Sequence, residues 1–388
     1  MLIEEKNKII ELPIIVIFTE AGVNWFIRNN KKLRKYRLAD NTVEYGLSLD
    51  RFEAPLIQRM IHLNYISTIE LSRVEFTSKR NEIMDLSKLI LYDFLYKKFE
   101  MDVFKKFVSS NFIKKWNRTN PSRIIDENSV FSRAFISEMR EKYRKEIAEI
   151  NRDVVTPIHD KILKNSELSE EEKKIGVLLN KRYLEYINSI IWIILAQLKN
   201  VRDYREIVDD ISKILEEYWE KAKIAEYFSL MIIELATNAE NIRIKEVARE
   251  LYPDKKNIDS LIFYKDVREN VFRVLNRRQD YLYLVWRISN RRASIGVDNR
   301  LKVTLFNREY DYADLKKKIE NKKDLNISEK SLFDFYQELP EDKKSEELGL
   351  FYLSYLNEAC EKYHIKFDSN VSDIEDSNLT LIDLMVQF

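Results

Sequence analysis

Glycine and proline are scarce: 5 Gly and 6 Pro in 388 residues. A chain that reverses often needs residues that tolerate positive φ or preset a turn. So small a supply predicts long helices with few tight reversals and argues against a many-stranded β-sandwich. Hydrophobic residues at 45% beside 34% charged residues are enough for packed cores. The length allows two or three domains. The expectation is a mostly helical α+β protein.

The net charge of +1 provides no global field that points to nucleic acid or to a membrane. A single cysteine, Cys360, excludes an intrachain disulfide and a cysteine-rich metal site, and fits a cytoplasmic location. His62, His159 and His364 lie too far apart in sequence to show ligand spacing. The N-terminus lacks the charged, apolar and small-residue pattern of a signal peptide. The most apolar run, residues 187–198, is shorter than a bilayer span and contains Asn188. It reads as a core helix, so no membrane insertion is expected.

Three consecutive domains are expected. In residues 1–130, a β-branched strand at 13–18 leads to a turn at 19–22, a second strand follows at 46–49, and 54–112 reads as helical. Between the strands, Arg28, Lys31, Lys32, Arg34, Lys35 and Arg37 surround Tyr36. Such a run is either a solvated helix face or a phosphate contact. Residues 131–200 read as a helical hairpin: one long helix over 131–163, kinked at Pro157, a bend at 165–169, and a second helix to 199 with Ser169 as N-cap. The apolar stripe of the second helix (Val177, Leu178, Tyr183, Leu184, Ile187, Ile191, Ile194, Leu198) suits a four-helix bundle and hence a homodimer.

The third domain, 201–388, begins with a helix over 222–241 and continues with two charged helices as an insertion at 243–280. A strand follows at 281–288, then a hairpin of 293–297 and 301–306 turning at Asp298-Asn299-Arg300. Next come a helix at 311–321, an aromatic cluster at 332–336, a helix at 348–363, and strands at 365–368 and 379–388. Within the first helix, Glu234 and Asn238 are one turn apart on a common face. A carboxylate beside a carboxamide can hold a hydrated metal or a water; the plainer reading is two solvated residues on an amphipathic helix.

The order from 222 to 388 resembles the histidine-kinase-like ATPase (GHKL) domain, and about residues 140–388 fit that family. Residues 234–239, Glu-Leu-Ala-Thr-Asn-Ala, resemble its N-box; residues 331–336 its phenylalanine-rich box; and Glu347-Leu348-Gly349-Leu350-Phe351 the end of its glycine-rich lid. Residues 152–158, Arg-Asp-Val-Val-Thr-Pro-Ile, resemble the phosphoacceptor box with Arg152 in place of the histidine; His159 has no family warrant as acceptor. The resemblance implies a C-terminal α/β sandwich with a mixed sheet. It further implies Glu234 as general base, Asn238 as Mg²⁺ ligand, and a nucleotide site that includes Asn307 and Gly349. The adenine-binding Asp and its glycines are missing from residues 306–310, and Glu346 and Glu347 stand where phosphates would be cradled. Fixed carboxylates there repel phosphate.

Three functions follow. The first is a pseudo-histidine-kinase that regulates or scaffolds signalling through protein partners, without autophosphorylation or a cofactor. The second is a divergent active ATPase or kinase using Glu234 and Asn238 with ATP and Mg²⁺. The third is a nucleic-acid-associated protein using the basic stretches 28–37 and 268–302.

Overall fold

The computed structural model describes residues 8–388, apart from 30, 123, 127–128, 130, 198, 200–203, 256, 294–295, 308–343 and 375–378. Two units emerge: one contains Tyr92–Lys223, the other joins Asn7–Leu91 to Ile224–Phe388. The three consecutive domains expected from the sequence are not the lines of this division. Strands from the first and last parts of the chain pair in one sheet, which draws Asn7–Leu91 and Ile224–Phe388 into a single unit.

That unit opens with a short pair, β1 (Ile9–Ile10) with β5 (Phe52–Glu53). Its main elements are β2 (Ile14–Phe18), α1 (Glu20–Arg28), β3 (Arg34–Arg37), β4 (Val43–Leu49), α2 (Ala54–His62) and β6 (Ile66–Arg73). Helix α3 (Arg80–Ser109) has its first turns here. After the other unit the chain continues through α10 (Lys223–Leu251), α11 (Ile258–Leu261), α12 (Lys265–Arg278), β7 (Leu282–Ala293) and β8 (Gly296–Asn307). It closes with α13 (Lys344–Lys362), β9 (Lys366–Ile374) and β10 (Leu379–Gln387). The sheet order is β3-β4-β2-β6-β7-β8-β10-β9. Among the described residues every pairing is antiparallel, which corrects the mixed sheet implied by the resemblance. Strands β2, β3, β4 and β6 with α1 and α2 follow the order of a split β-α-β unit.

Successive residues of a strand face opposite ways, and the register shows which residues share a side. Val16, Ile69, Leu71, Leu284, Trp286, Val303, Leu305 and Leu384 line one face and are buried. Helix α3 reaches Trp286, whose indole Nε1 donates to the Ser87 hydroxyl at 3.3 Å. Helix α10 is buried along most of its length, from Ile224 to Ala248. The opposite face is polar at its centre: Thr68, Glu70, Arg287, Lys302, Thr304 and Asp383.

Reversals are made with little glycine. Asn41, Asn64, Gln279 and His364 take positive φ, at 65°, 58°, 52° and 55°. They stand before β4, β6, β7 and β9. Asparagine tolerates the left-handed region best among the non-glycine residues. This is how a chain with 5 Gly builds an eight-stranded sheet.

Several local expectations are corrected. Residues 54–112 are not helical throughout, because β6 interrupts them; residues 66–73, Ile-Ser-Thr-Ile-Glu-Leu-Ser-Arg, carry the period-two pattern of a half-polar strand. The expected turn at 19–22 is the start of α1, with Thr19 capping Gly22 N–H. Asp298-Asn299-Arg300 lie inside β8 rather than in the hairpin turn. The aromatic cluster 332–336 and the helix at 311–321 fall outside the described residues.

The other unit is helical: the rest of α3, then α4 (Asn111–Thr119), α5 (Arg133–Lys142), α6 (Arg144–Lys164), α7 (Glu170–Tyr186), α8 (Ser189–Gln197) and α9 (Tyr204–Lys221). The single helix expected over 131–163 is two, divided at Tyr143, with Pro157 inside α6. The second expected helix breaks at Ile187 and Asn188, where the Asn188 side chain accepts from Ile190 N–H at 3.1 Å. Ser169 caps α7 in a reciprocal pair with Glu172. Tyr183, Leu184, Ile187, Ile191 and Ile194 are already buried in the single chain, so much of the stripe on which a dimer was expected is covered without a partner.

Candidate functional site

The basic run 28–37 is not a helix face. Helix α1 ends at Arg28, and Arg34–Arg37 form β3 at the edge of the sheet. The three cations and one tyrosine of Arg-Lys-Tyr-Arg suit an extended edge whose two sides both meet solvent. Arg28, Lys31, Lys32, Arg34, Lys35 and Arg37 are all exposed. None forms an ion pair with another described residue. The second basic stretch behaves oppositely. Arg268 pairs with Glu240 at 2.6 Å, Arg278 with Glu250 at 2.7 Å, Arg287 with Asp40 at 2.6 Å and Lys302 with Asp383 at 2.9 Å. Four cations of 268–302 are thus held by carboxylates, whereas among the described residues none of those in 28–37 is.

Strand β3 pairs with β4 so that Lys35 stands opposite Tyr45, Arg37 opposite Val43, and Tyr36 opposite Glu44. The Lys35 ammonium lies 5.3 Å from the centre of the Tyr45 ring, within cation–π range. Strand β4 packs close to β2 at Gly46, where an added Cβ would come within 2.3 Å of the Val16 carbonyl oxygen.

The hairpin turn is tied down. Leu38 N–H donates to Thr42 O at 2.9 Å, and the Asp40 carboxylate accepts from the Thr42 N–H and hydroxyl at 3.1 and 2.7 Å. Ala39 N–H donates to buried Glu70 at 2.8 Å, and Arg287 donates to Asp40 at 2.6 Å. Arg287 also donates to the Thr304 hydroxyl at 3.3 Å, which donates to Asp383 at 2.7 Å. The turn of an edge hairpin is thereby anchored on β6 and β7. Burial pushes the Glu70 carboxyl above its usual range, with Asp40 adding to the shift, while the Ala39 N–H and Arg287 oppose it. Burial also acts to raise Asp40, but hydrogen bonds from Thr42 and the nearby Arg287 outweigh it and hold the group low. The turn therefore carries a charged carboxylate beside one whose charge is disfavoured.

The residues singled out in the sequence are placed differently. Glu234 is buried on α10 and accepts from Arg80 at 2.5 Å. Asn238, one turn on, is half-buried and its side chain forms no hydrogen bond with another described residue. The Glu234 carboxylate is thus held by a guanidinium. Asn307 is the last residue of β8 and Gly349 lies inside α13. Arg152 is exposed on α6, where its carbonyl accepts from the Thr156 hydroxyl at 2.7 Å. On the same helix His159 is half-buried, and burial with Lys181 nearby lowers its pKa. Among the described residues, no group of three or more His, Cys, Asp or Glu is arranged to hold a metal ion, and no helix is long and apolar enough to cross a membrane. Sequence reasoning missed Glu70 and Asp40, and reached Arg287 only as one cation of the basic stretch 268–302. The available signals were the alternation of 66–73, which makes Glu70 a strand residue, and the turn pair Asp40-Asn41.

Comparison with known families matches residues 5–388 to DUF8084, described as a family of unknown function. A protein of Treponema pallidum (strain Nichols), described as an uncharacterized protein, is 30% identical over 386 residues, 99% of each chain. No solved structure matches. The match covers nearly the whole chain and is to a different family from the histidine-kinase-like ATPases. That overturns the resemblance, and the nucleotide-site roles of Glu234, Asn238, Asn307 and Gly349 lose the basis on which they were assigned.

Proposed function

We propose that this chain, which belongs to the DUF8084 family, binds nucleic acid by gripping the phosphate backbone along its β3–β4 hairpin. The carrying observation is the contrast in pairing. The six cations of 28–37 are exposed without a carboxylate partner among the described residues, in a chain of net charge +1. Charged edge strands also prevent sheet-to-sheet association, but a lysine or two serves that purpose. Six cations over ten residues create a local field that attracts a polyanion despite a neutral whole. Anchoring of the turn by Glu70 and Arg287 limits the ordering cost on binding.

Anisotropy of a fluorescently labelled oligonucleotide across a salt series tests this. The logarithm of affinity falls with that of salt by roughly 0.7 per neutralised phosphate of a single strand. Replacing Arg34, Lys35 and Arg37 together by Gln is expected to reduce the slope by about 2. Arg278→Gln, which removes a cation already paired with Glu250, is expected to leave it unchanged. An unaltered slope in the triple variant, or displacement by poly-glutamate as effective as by unlabelled oligonucleotide, overturns the proposal.

A further inference from the structure

Exposed apolar and aromatic side chains stand beside the unpaired cations, although Phe263 and Tyr264, away from them, are more exposed. Val43 is 56% and Tyr45 47% exposed, and both lie on β4 facing the same side as Arg37 and Lys35 of β3. One side of the hairpin is thus a checkerboard in which each cation stands directly across from an apolar or aromatic group. Trp25 and Ile27, in the last turns of α1 just before Arg28, are exposed as well, at 41% and 60%. Contact with phosphates alone needs no such surface, and leaving it in water is unfavourable. An aromatic face between cations suits a ligand that offers π-surfaces and phosphates in alternation.

We infer that the ligand is single-stranded, with an unstacked base laid on Tyr45 and the flanking phosphates at Lys35 and Arg37. This rests on the phosphate-binding reading above. In a duplex the base faces are stacked on one another and closed to a side chain. In a single strand they are open, and aromatic stacking tolerates any sequence because every base has a π-face. The Lys35 ammonium, already 5.3 Å from the Tyr45 ring centre, is placed to follow the phosphate next to the stacked base. The turn bonds to Glu70 and Arg287 keep β3 and β4 in register under this load.

The test compares a mixed-sequence strand of roughly 16 nucleotides with the same strand annealed to its complement, on the full chain and on Tyr45→Ala and Tyr45→Phe. The single strand is expected to bind at least tenfold more tightly than the duplex. Tyr45→Ala should weaken single-strand binding about tenfold while its salt slope stays that of the parent, and Tyr45→Phe should restore most of the loss. Equal binding of the two forms, or no effect of Tyr45→Ala, overturns the single-strand inference while a steep salt slope leaves the phosphate reading standing. Absence of binding to either form at low ionic strength overturns both.

Discussion

Glu240 offers the sharpest test of how this fold is held. Its side chain is fully buried on α10. One carboxylate oxygen accepts from the backbone N–H groups of Phe76 and Thr77 at 2.6 and 3.0 Å; the other accepts from the Thr77 hydroxyl at 2.9 Å and Arg268 at 2.6 Å. The carboxylate caps the turn at Thr77–Lys79 that leads into α3 and neutralises a guanidinium of α12. Glu240→Ala strands two backbone donors and a mostly buried cation. Breaking a buried charged pair costs about 3–5 kcal/mol, so a loss near 4 kcal/mol is expected. Glu240→Gln retains one acceptor oxygen for the backbone donors, and the Thr77 hydroxyl can rotate to accept from the new amide. Only the Arg268 contact is then opposed, for a loss of about 2 kcal/mol. Native-state hydrogen exchange at Phe76 and Thr77 reads the donors directly. At 1.4 kcal/mol per tenfold, protection should fall roughly 1,000-fold in Glu240→Ala and about 30-fold in Glu240→Gln. Protection unchanged in Glu240→Ala would refute the capping argument; equal losses in both variants would refute the role given to the retained oxygen.

Two further outcomes follow from the hairpin and its anchor. Because burial raises the Glu70 carboxyl, its contribution to stability is full below the ordinary carboxylate range and is lost as pH rises through the raised value. Glu70→Gln, which keeps an acceptor for Ala39 N–H, should match the parent in acid and exceed it near neutrality in urea unfolding; a constant difference across pH contradicts this. Gly46→Ala drives a methyl against the Val16 carbonyl and the Ile17 side chain, and backbone cannot yield as a side chain does. A destabilisation of about 2 kcal/mol is expected, and a urea midpoint unmoved from the parent would show that β4 can shift freely.

The helices were readable where sequence and burial agree. Ser169 announced its capping box, and Ile187 to Ala196 announced a buried segment. The sheet was harder. Strand β6 carries Ser, Thr and Glu between its apolar residues, and in a run flanked by helical patterns its period of two is easily absorbed into a longer helix. No local signal tells β6 that its partner is β7, because pairing across such a distance depends on the whole topology. The hairpin site was legible as composition but not as geometry. Six cations around Tyr36 stand out in the sequence; that Lys35 stands across from Tyr45 and Arg37 across from Val43 depends on the β3–β4 register, and the hairpin's own Asp40 is turned toward Arg287. The misplaced family resemblance had the same origin. Glu234 and Asn238 at helical spacing suggested a site, whereas the carboxylate is committed to Arg80, distant in sequence.

The ladder between β6 and β7 also sets a schedule for synthesis. Residues 68–73 pair with 282–287, so at about 5–20 residues per second the ribosome makes β7 some 10–40 s after β6. Throughout that interval β6 has β2 on one side and an open row of amides and carbonyls on the other, the edge most prone to pair with a neighbouring nascent chain. Growing chains halted before residue 282 should accordingly aggregate or recruit chaperones through β6, and chains extended through β7 should carry the open edge on β7 instead, until β8 covers it.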